Sequence, residues 1–262
     1  MKIAMLGSGN VATFLSKALI QVGHPITQVW SRNPNNAIAL ALEIGSDSIV
    51  DISLILPETD IVIIAVNDDG IENVAAQIPK HSNQLILHTS GTTPLLVLQN
   101  YTLNCGVLYP LQTFSKQANV DFSVIPLCIE GSNLGVLTRI KSLAEQLSDN
   151  VNEINSQQRA LLHLSAVFAC NFTNHFYNIA QQILESNGLN FGLLRPLIQQ
   201  TTDKVMISKP SEVQTGPAKR NDEQTMLKHL AILQDQPMWQ ELYVKLSQDI
   251  VKIYQPSSSS AK

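Results

Sequence analysis

Short apolar runs alternate with stretches of three- and four-residue apolar spacing through the first half of the chain. Lys2 to Leu6, Ile26 to Trp30, Ile61 to Val66, Gln84 to Leu87, Gly106 to Leu108 and Ile125 to Ile129 are brief, apolar and bounded by polar or turn-forming residues. That is the pattern of strands covered on both faces. After the first run, Val11, Ala12, Phe14, Leu15, Ala18, Leu19 and Val22 share one helical face, and Gly23 followed by Pro25 ends it. Leu134 to Leu147 reads as another helix, and Asp69 with Glu72 as the capping box of a third. Strand and helix in alternation predict an α/β domain with a doubly wound, mostly parallel sheet.

Near Ser156 the pattern changes. From there to about Asn187 the residues read as one long helix closed by Gly188, and between Ala160 and Phe172 it is apolar on nearly every side. Such a helix is expected to be central in a helical domain, with part of its surface against a second subunit. Further helices are expected from Pro196 to Met206, from about Asn221, and from Pro237 to Tyr254, with an irregular segment between Ser208 and Asn221. The expected layout is a sheet domain over 1–153, an all-α C-terminal domain over 154–256 and a frayed polar tail over 257–262.

Composition narrows the class without naming a function. The chain has 262 residues, 44% of them hydrophobic and 15% charged, enough for two modest domains with a real core. A formal net charge of −4, with no run of lysine or arginine, argues against nucleic acid or an anionic membrane as partner. Cys105, Cys128 and Cys170 have no paired spacing and read as small core residues in a reducing compartment, with no metal site expected. No apolar run approaches the ~20 residues that cross a bilayer. Gly7, Ser8, Asn10 and Lys17 interrupt any reading of the N-terminus as a signal peptide, so the expected location is the cytoplasm.

The most informative stretch is Gly7-Ser8-Gly9-Asn10-Val11-Ala12, between the first strand and its helix. Gly7 suits the tight turn, Gly9 lets backbone N–H groups approach a pyrophosphate, and Ala12 takes the third small position, where helix packs on strand. This makes the sheet domain a Rossmann fold. An NAD site then calls for an acid roughly 20 residues on, to bond the ribose 2′-hydroxyl. This chain offers Ser31 and Arg32 there, and the nearest acid is Glu43. A hydroxyl beside a guanidinium suits a 2′-phosphate, so the expected cofactor is NADP.

Ligands of open α/β sheets lie beyond the carboxyl ends of the strands. That places Val66, Asn67, Thr89 and Ser90 beside the cofactor, and Tyr109 and Gln112 beside a substrate. Hydride transfer to a carbonyl or imine needs a proton donor, for which His88, Tyr109 and His163 are candidates. His163 and Asn171 lie on one ridge of the long helix and are the expected catalytic pair, with Asn174 positioning substrate. Arg220 stands before a helix N-terminus, where it either holds an anionic group of the substrate or pairs with the capping Asp222.

Together these stretches, with Tyr109 to Phe114, Leu162 to Ala166 and Thr215-Gly216-Pro217, resemble a family of two-domain NADP oxidoreductases. The N-terminal half is similar to the cofactor domain of pyrroline-5-carboxylate reductase and of deazaflavin-dependent NADP reductases. The layout resembles the 6-phosphogluconate dehydrogenase-like superfamily, which implies dimerisation through the helical domain. That superfamily's hydroxyacid dehydrogenases carry a catalytic lysine on the long helix, whereas this chain has no lysine between Lys141 and Lys204. The expected function is an NADP-dependent oxidoreductase acting on a small polar metabolite between the domains. A non-catalytic NADP-binding sensor or scaffold and a deazaflavin-dependent NADP reductase stand as alternatives.

Overall fold

Alternate residues of each strand go to opposite faces of one eight-stranded sheet in a computed structural model that describes residues 1–81, 84–115 and 120–255. The first part of the chain runs β1 (Ile3–Leu6), α1 (Asn10–Gln21), β2 (Ile26–Trp30), α2 (Pro34–Ile44), β3 (Asp47–Ile49), β4 (Ile61–Ile64) and α3 (Ile71–Gln77). It continues through β5 (Leu85–His88), α4 (Leu96–Gln99), β6 (Cys105–Pro110), β7 (Leu127–Gly131), α5 (Leu134–Ala144) and β8 (Val151–Glu153). The strand order is β3-β2-β1-β4-β5-β6-β7-β8, parallel throughout except where β6 meets β7. This is the expected doubly wound Rossmann sheet, whose order reverses between β1 and β4.

The two faces account for the apolar runs. Ile3, Met5, Ile61, Ile63, Leu85 and Leu87 pack on one side with α1, α2 and α5. Ala4, Leu6, Val62, Ile64, Ile86, Val107 and Tyr109 pack on the other. Strands covered on both sides have no polar alternate positions, hence their continuous hydrophobicity.

Several expectations are corrected. β3 and β8 went unread because each is a three-residue edge strand with exposed positions and no apolar run. β6 runs on to Pro110 because its antiparallel register with β7 carries Tyr109 and Pro110 into the ladder. Asp69 does not cap a helix: Asp68–Gly70 forms a 3-10 turn, and α3 starts after Gly70 without a side-chain cap.

The chain divides into two compact units, Met1–Tyr177 and Asn178–Lys262. β8 ends at Glu153, and every regular element from Ser156 onward among the described residues is helical. The long helix is α6 (Ser156–Ala166), a π-helical segment over Val167–Phe172, and α7 (Thr173–Glu185), with Gly188 at φ +70° closing it. It is not buried all round within one chain, since Leu161, Leu164, Phe168 and Phe172 are exposed, and so is Cys170. Cys105 and Cys128 are the core residues expected. Then follow α8 (Arg195–Ile207), α9 (Pro210–Val213), α10 (Glu223–Ile232) and α11 (Pro237–Tyr254). The stretch from Ser208 to Asn221 is less irregular than expected, holding α9 and a 3-10 turn over Ala218–Arg220. The expected tail over 257–262 lies outside the described residues.

Gly7 is required by packing. It sits at φ +137°, and a Cβ there would lie 2.0 Å from the Ala65 carbonyl oxygen at the end of β4. Backbone cannot yield cheaply at such a crossing. Gly7→Ala should therefore lose about 3 kcal/mol or more of stability. Urea unfolding measures it, and an unchanged midpoint would contradict this packing.

Candidate functional site

The β1–α1 turn leaves one helix end open. Gly7 N–H donates to the Trp30 carbonyl at 2.7 Å, which ties the turn to the end of β2. Gly9 is the N-cap of α1 at φ −77°, and no side chain caps the helix. A Cβ at Gly9 would meet nothing within 4 Å. The fold therefore gives no reason for glycine at position 9, unlike position 7. What the absent side chain preserves is access to the first N–H groups of α1, including those of Asn10 and Val11. Val11 is half-buried against the core, and the Asn10 amide donates to the Phe114 carbonyl at 2.8 Å.

The end of β2 meets this turn. Ser8 Oγ donates to Ser31 Oγ at 2.8 Å, so the two hydroxyls are neighbours. Arg32 follows on the exposed side with no ion pair among the described residues, while Asn33 caps α2. Glu43 pairs with Lys17 at 2.5 Å. The hydroxyls, an unpaired guanidinium and an open helix end are the chemistry that takes a phosphorylated ribose and a diphosphate.

Farther along the carboxyl edge, β6 and α6 bring two predicted residues together. Tyr109 Oη lies 3.0 Å from His163 Nδ1. Burial pushes the Tyr109 phenol up to about 12, so it keeps its proton. The phenol donates to Nδ1 when that nitrogen is bare and accepts from it when it carries a proton. Either way Nδ1 is committed to Tyr109, and Nε2 is the nitrogen left for proton exchange. The His163 ring also rests on the turn after β5: a Cβ at Gly91 would come 2.7 Å from its Nδ1.

The residues holding that turn were missed by sequence reasoning. Arg159, fully buried, pairs with Glu130 and donates to the Ser90 carbonyl at 3.1 Å and the Thr93 carbonyl at 2.6 Å. An arginine one turn before His163, at the edge of the apolar stretch that starts at Ala160, was the available signal. Ser90 is correspondingly occupied. Its hydroxyl accepts from the N–H groups of Thr92 and Thr93, at 3.1 and 2.9 Å. Thr89 is buried and its N–H donates to the Ile64 carbonyl at 3.2 Å.

Other predicted residues lie outside these contacts. Val66 is half-buried beyond β4, and Asn67 is exposed next to it. Gln112 is exposed and its side chain accepts from the Thr113 N–H at 2.8 Å. Asn171, in the π segment, and Asn174, at the start of α7, are exposed. Eight residues of α-helix overshoot two turns, and the wider π turn takes back part of that overshoot, which favours a shared face for His163 and Asn171. Arg220 lies in the second unit, exposed, 4.0 Å from Asp222, which caps α10. Its placement is that of the pairing alternative.

His88 is fully buried, which removes it from the proton donors. Burial, with the Arg159 guanidinium adding to it, holds the ring down at about 3. Its Nδ1 accepts from the Ser90 N–H at 3.2 Å, and its Nε2 has no hydrogen-bond partner among the described residues. Because this folded value lies below the ordinary 6.5, the unfolded chain takes up the proton first as pH falls. The resulting stability is complete above about 6.5 and is lost progressively down to about 3. The slope from this one group approaches about 1.4 kcal/mol per pH unit. His88→Gln should lose less stability than the parent between neutrality and about pH 5 by urea unfolding; an equal loss in both proteins would contradict the buried neutral ring.

Comparison with known proteins places this geometry. Residues 2–90 match the sequence model of the coenzyme F420-dependent NADP oxidoreductases, and residues 125–250 match that of a domain of unknown function, DUF2520. A crystal structure from Bacteroides fragilis, of a protein provisionally named an NADP oxidoreductase, is 38% identical. It superposes with a TM-score of 0.88 over 96% of this chain and 98% of its own. A Thermotoga maritima protein is 22% identical, with a TM-score of 0.71 over 96% of this chain and 98% of its own. A reductive aminase from Aspergillus terreus, solved with NADPH and ethyl levulinate, is 15% identical, with a TM-score of 0.73 over 95% of this chain and 92% of its own. These last two share the fold alone. No protein with a curated description matches the chain. With the Bacteroides fragilis protein matched nearly end to end at this identity, the chain belongs to the two-domain NADP oxidoreductase family, a Rossmann domain followed by a helical DUF2520 domain.

Proposed function

We propose that this protein is an NADP-dependent oxidoreductase that exchanges hydride with the carbonyl or imine of a small polar metabolite. The observation that carries the reading is Gly9, a glycine that neither its backbone angles nor its neighbours require, at the uncapped end of α1. The first N–H groups of α1 hold the diphosphate, and Ser31 and Arg32 receive the 2′-phosphate. When bound, the dinucleotide supplies or accepts the hydride. His163 moves the accompanying proton at Nε2 while Tyr109 holds the ring by Nδ1, and Asn171 orients the substrate. On this reading 1–153 is the cofactor domain and 154–256 the substrate and pairing domain. The F420-dependent description of the family matched by residues 2–90 supports a second reading, in which a deazaflavin takes the substrate's place.

Pairing is supported by what one chain leaves uncovered. Between residues 178 and 255 only Ala218 and Leu233 are buried. Leu161, Leu164, Phe168 and Phe172 form an exposed stripe on the long helix, and an apolar groove of about 790 Å³ runs beside Leu230 and Val251. Helices without a core of their own gain one from a second copy. The protein is then a homodimer through its helical domain.

Fluorescence titration should find NADPH binding at least about tenfold tighter than NADH, a difference of about 1.4 kcal/mol. Arg32→Glu should reverse the order, and equal affinities in the parent would remove the 2′-phosphate argument. Gly9→Val should stay folded, losing no more than the roughly 1 kcal/mol of a poorer N-cap, and should lose NADPH; unimpaired binding would refute the carrying observation. Over a panel of carbonyls, imines and a deazaflavin, His163→Ala should stop NADPH oxidation, and turnover of the deazaflavin alone would select the second reading. Sedimentation should give twice the 28.8 kDa chain mass, falling to one chain in Phe168→Asp with Phe172→Asp. A monomeric parent would refute pairing.

A further inference from the structure

Two side-chain links join the β6–β7 ladder to α6. On the strand side, Val107 of β6 sits opposite Glu130 of β7, and Tyr109 is two residues beyond Val107. Positions two apart on a strand, and positions directly opposite across a ladder, share a face, so Glu130 and Tyr109 project to the same side. On the helix side, Arg159 and His163 are four residues apart and therefore also share a face, one turn from each other. Glu130 reaches Arg159, and Tyr109 reaches His163 at 3.0 Å. The links are parallel rungs between the same two elements.

The first rung is worked into the turn on which the second depends. Arg159 donates to the carbonyls of Ser90 and Thr93, one on each side of Gly91 and Thr92. Gly91, between those anchors, is where the His163 ring rests. Glu130 also accepts from the Ser156 N–H at 3.0 Å and from the Ser156 hydroxyl at 2.8 Å, which fixes the first turn of α6. The same hydroxyl accepts from the Leu95 N–H at 2.9 Å, beyond the other end of the turn. One ion pair thus holds the strand end, the helix start and both flanks of the turn beneath His163.

A buried ion pair is an expensive way to fill space. Two apolar side chains of similar volume serve packing as well or better, because desolvating the charges offsets much of their attraction. What an apolar pair cannot supply is direction: a planar guanidinium fixes several acceptors at set angles at once. Resting on the reading of His163 as the reactive group, we propose that Arg159 and Glu130 are positioning residues. They clamp the 90–93 turn to α6 so that Gly91 presses the His163 ring against Tyr109 and leaves Nε2 as its free nitrogen.

The test separates positioning from packing and needs no substrate. Arg159→Met combined with Glu130→Leu replaces the pair with an apolar one, and Tyr109→Phe supplies the reference for a released His163 ring. The readout is the proton–nitrogen ring spectrum of His163, assigned by its loss in His163→Gln, which shows which ring nitrogen accepts a hydrogen bond. The double variant should stay folded, with its His163 signals moved at least about halfway from the parent positions to those of Tyr109→Phe. A folded double variant with parent His163 signals would overturn the proposal and leave the pair a packing feature. Should the double variant not fold, Arg159→Lys, which keeps the charge and loses the fork, is read by the same spectrum with the same two outcomes. The affinity of the parent for NADPH tests the cofactor reading and does not enter this spectrum, so the two ideas fail separately.

Discussion

A guanidinium withdrawn entirely from water survives only if nearly all of its donors find acceptors. Arg159 meets that demand with a carboxylate from β7 and two carbonyls from the turn after β5, and the nitrogen that donates to the Thr93 carbonyl also donates to the Ser156 hydroxyl at 3.3 Å. The second half of the first unit is organised around that satisfaction. The turn it pins is where the His163 ring sits, and the helix it starts carries the ring to Tyr109. The same charge disfavours protonation of His88. Burial of the His88 ring is the larger cause, and the buried cation adds to it.

The opposite end of the crevice is governed by backbone geometry. Gly7 must be glycine because β4 passes too close for any side chain. At Gly9 a side chain would meet no neighbour, and on the proposed reading that openness serves the diphosphate of the cofactor. Ser8, Ser31 and Arg32 extend the same surface along the switch point of the sheet.

Most of the Rossmann half was legible because buried parallel strands are uninterrupted apolar runs and their loops fall at fixed ends. β3 and β8 were not, since an exposed three-residue edge strand carries no periodicity. The glycine turn was readable from residue type and strand-end position, and so were Tyr109 and His163 as separate candidates, but their contact was not. Arg159 and Glu130 were not, because a buried ion pair depends on two positions that approach only when β7, α6 and the turn after β5 come together. The helical half was legible as helix, and what covers it was not. Apolar residues on every side of a helix announce covering without saying which chain provides it, and one chain leaves Leu161, Phe168 and Phe172 bare.

The measurement that bears most directly on the account is a crystal structure of the protein grown with NADPH. The diphosphate should lie against the N–H groups that open α1 past Gly9, with the 2′-phosphate between Ser31 and Arg32 and the nicotinamide toward the Tyr109–His163 end of the carboxyl edge. Density for the dinucleotide elsewhere, or a 2′-phosphate without contact to Arg32, would contradict it.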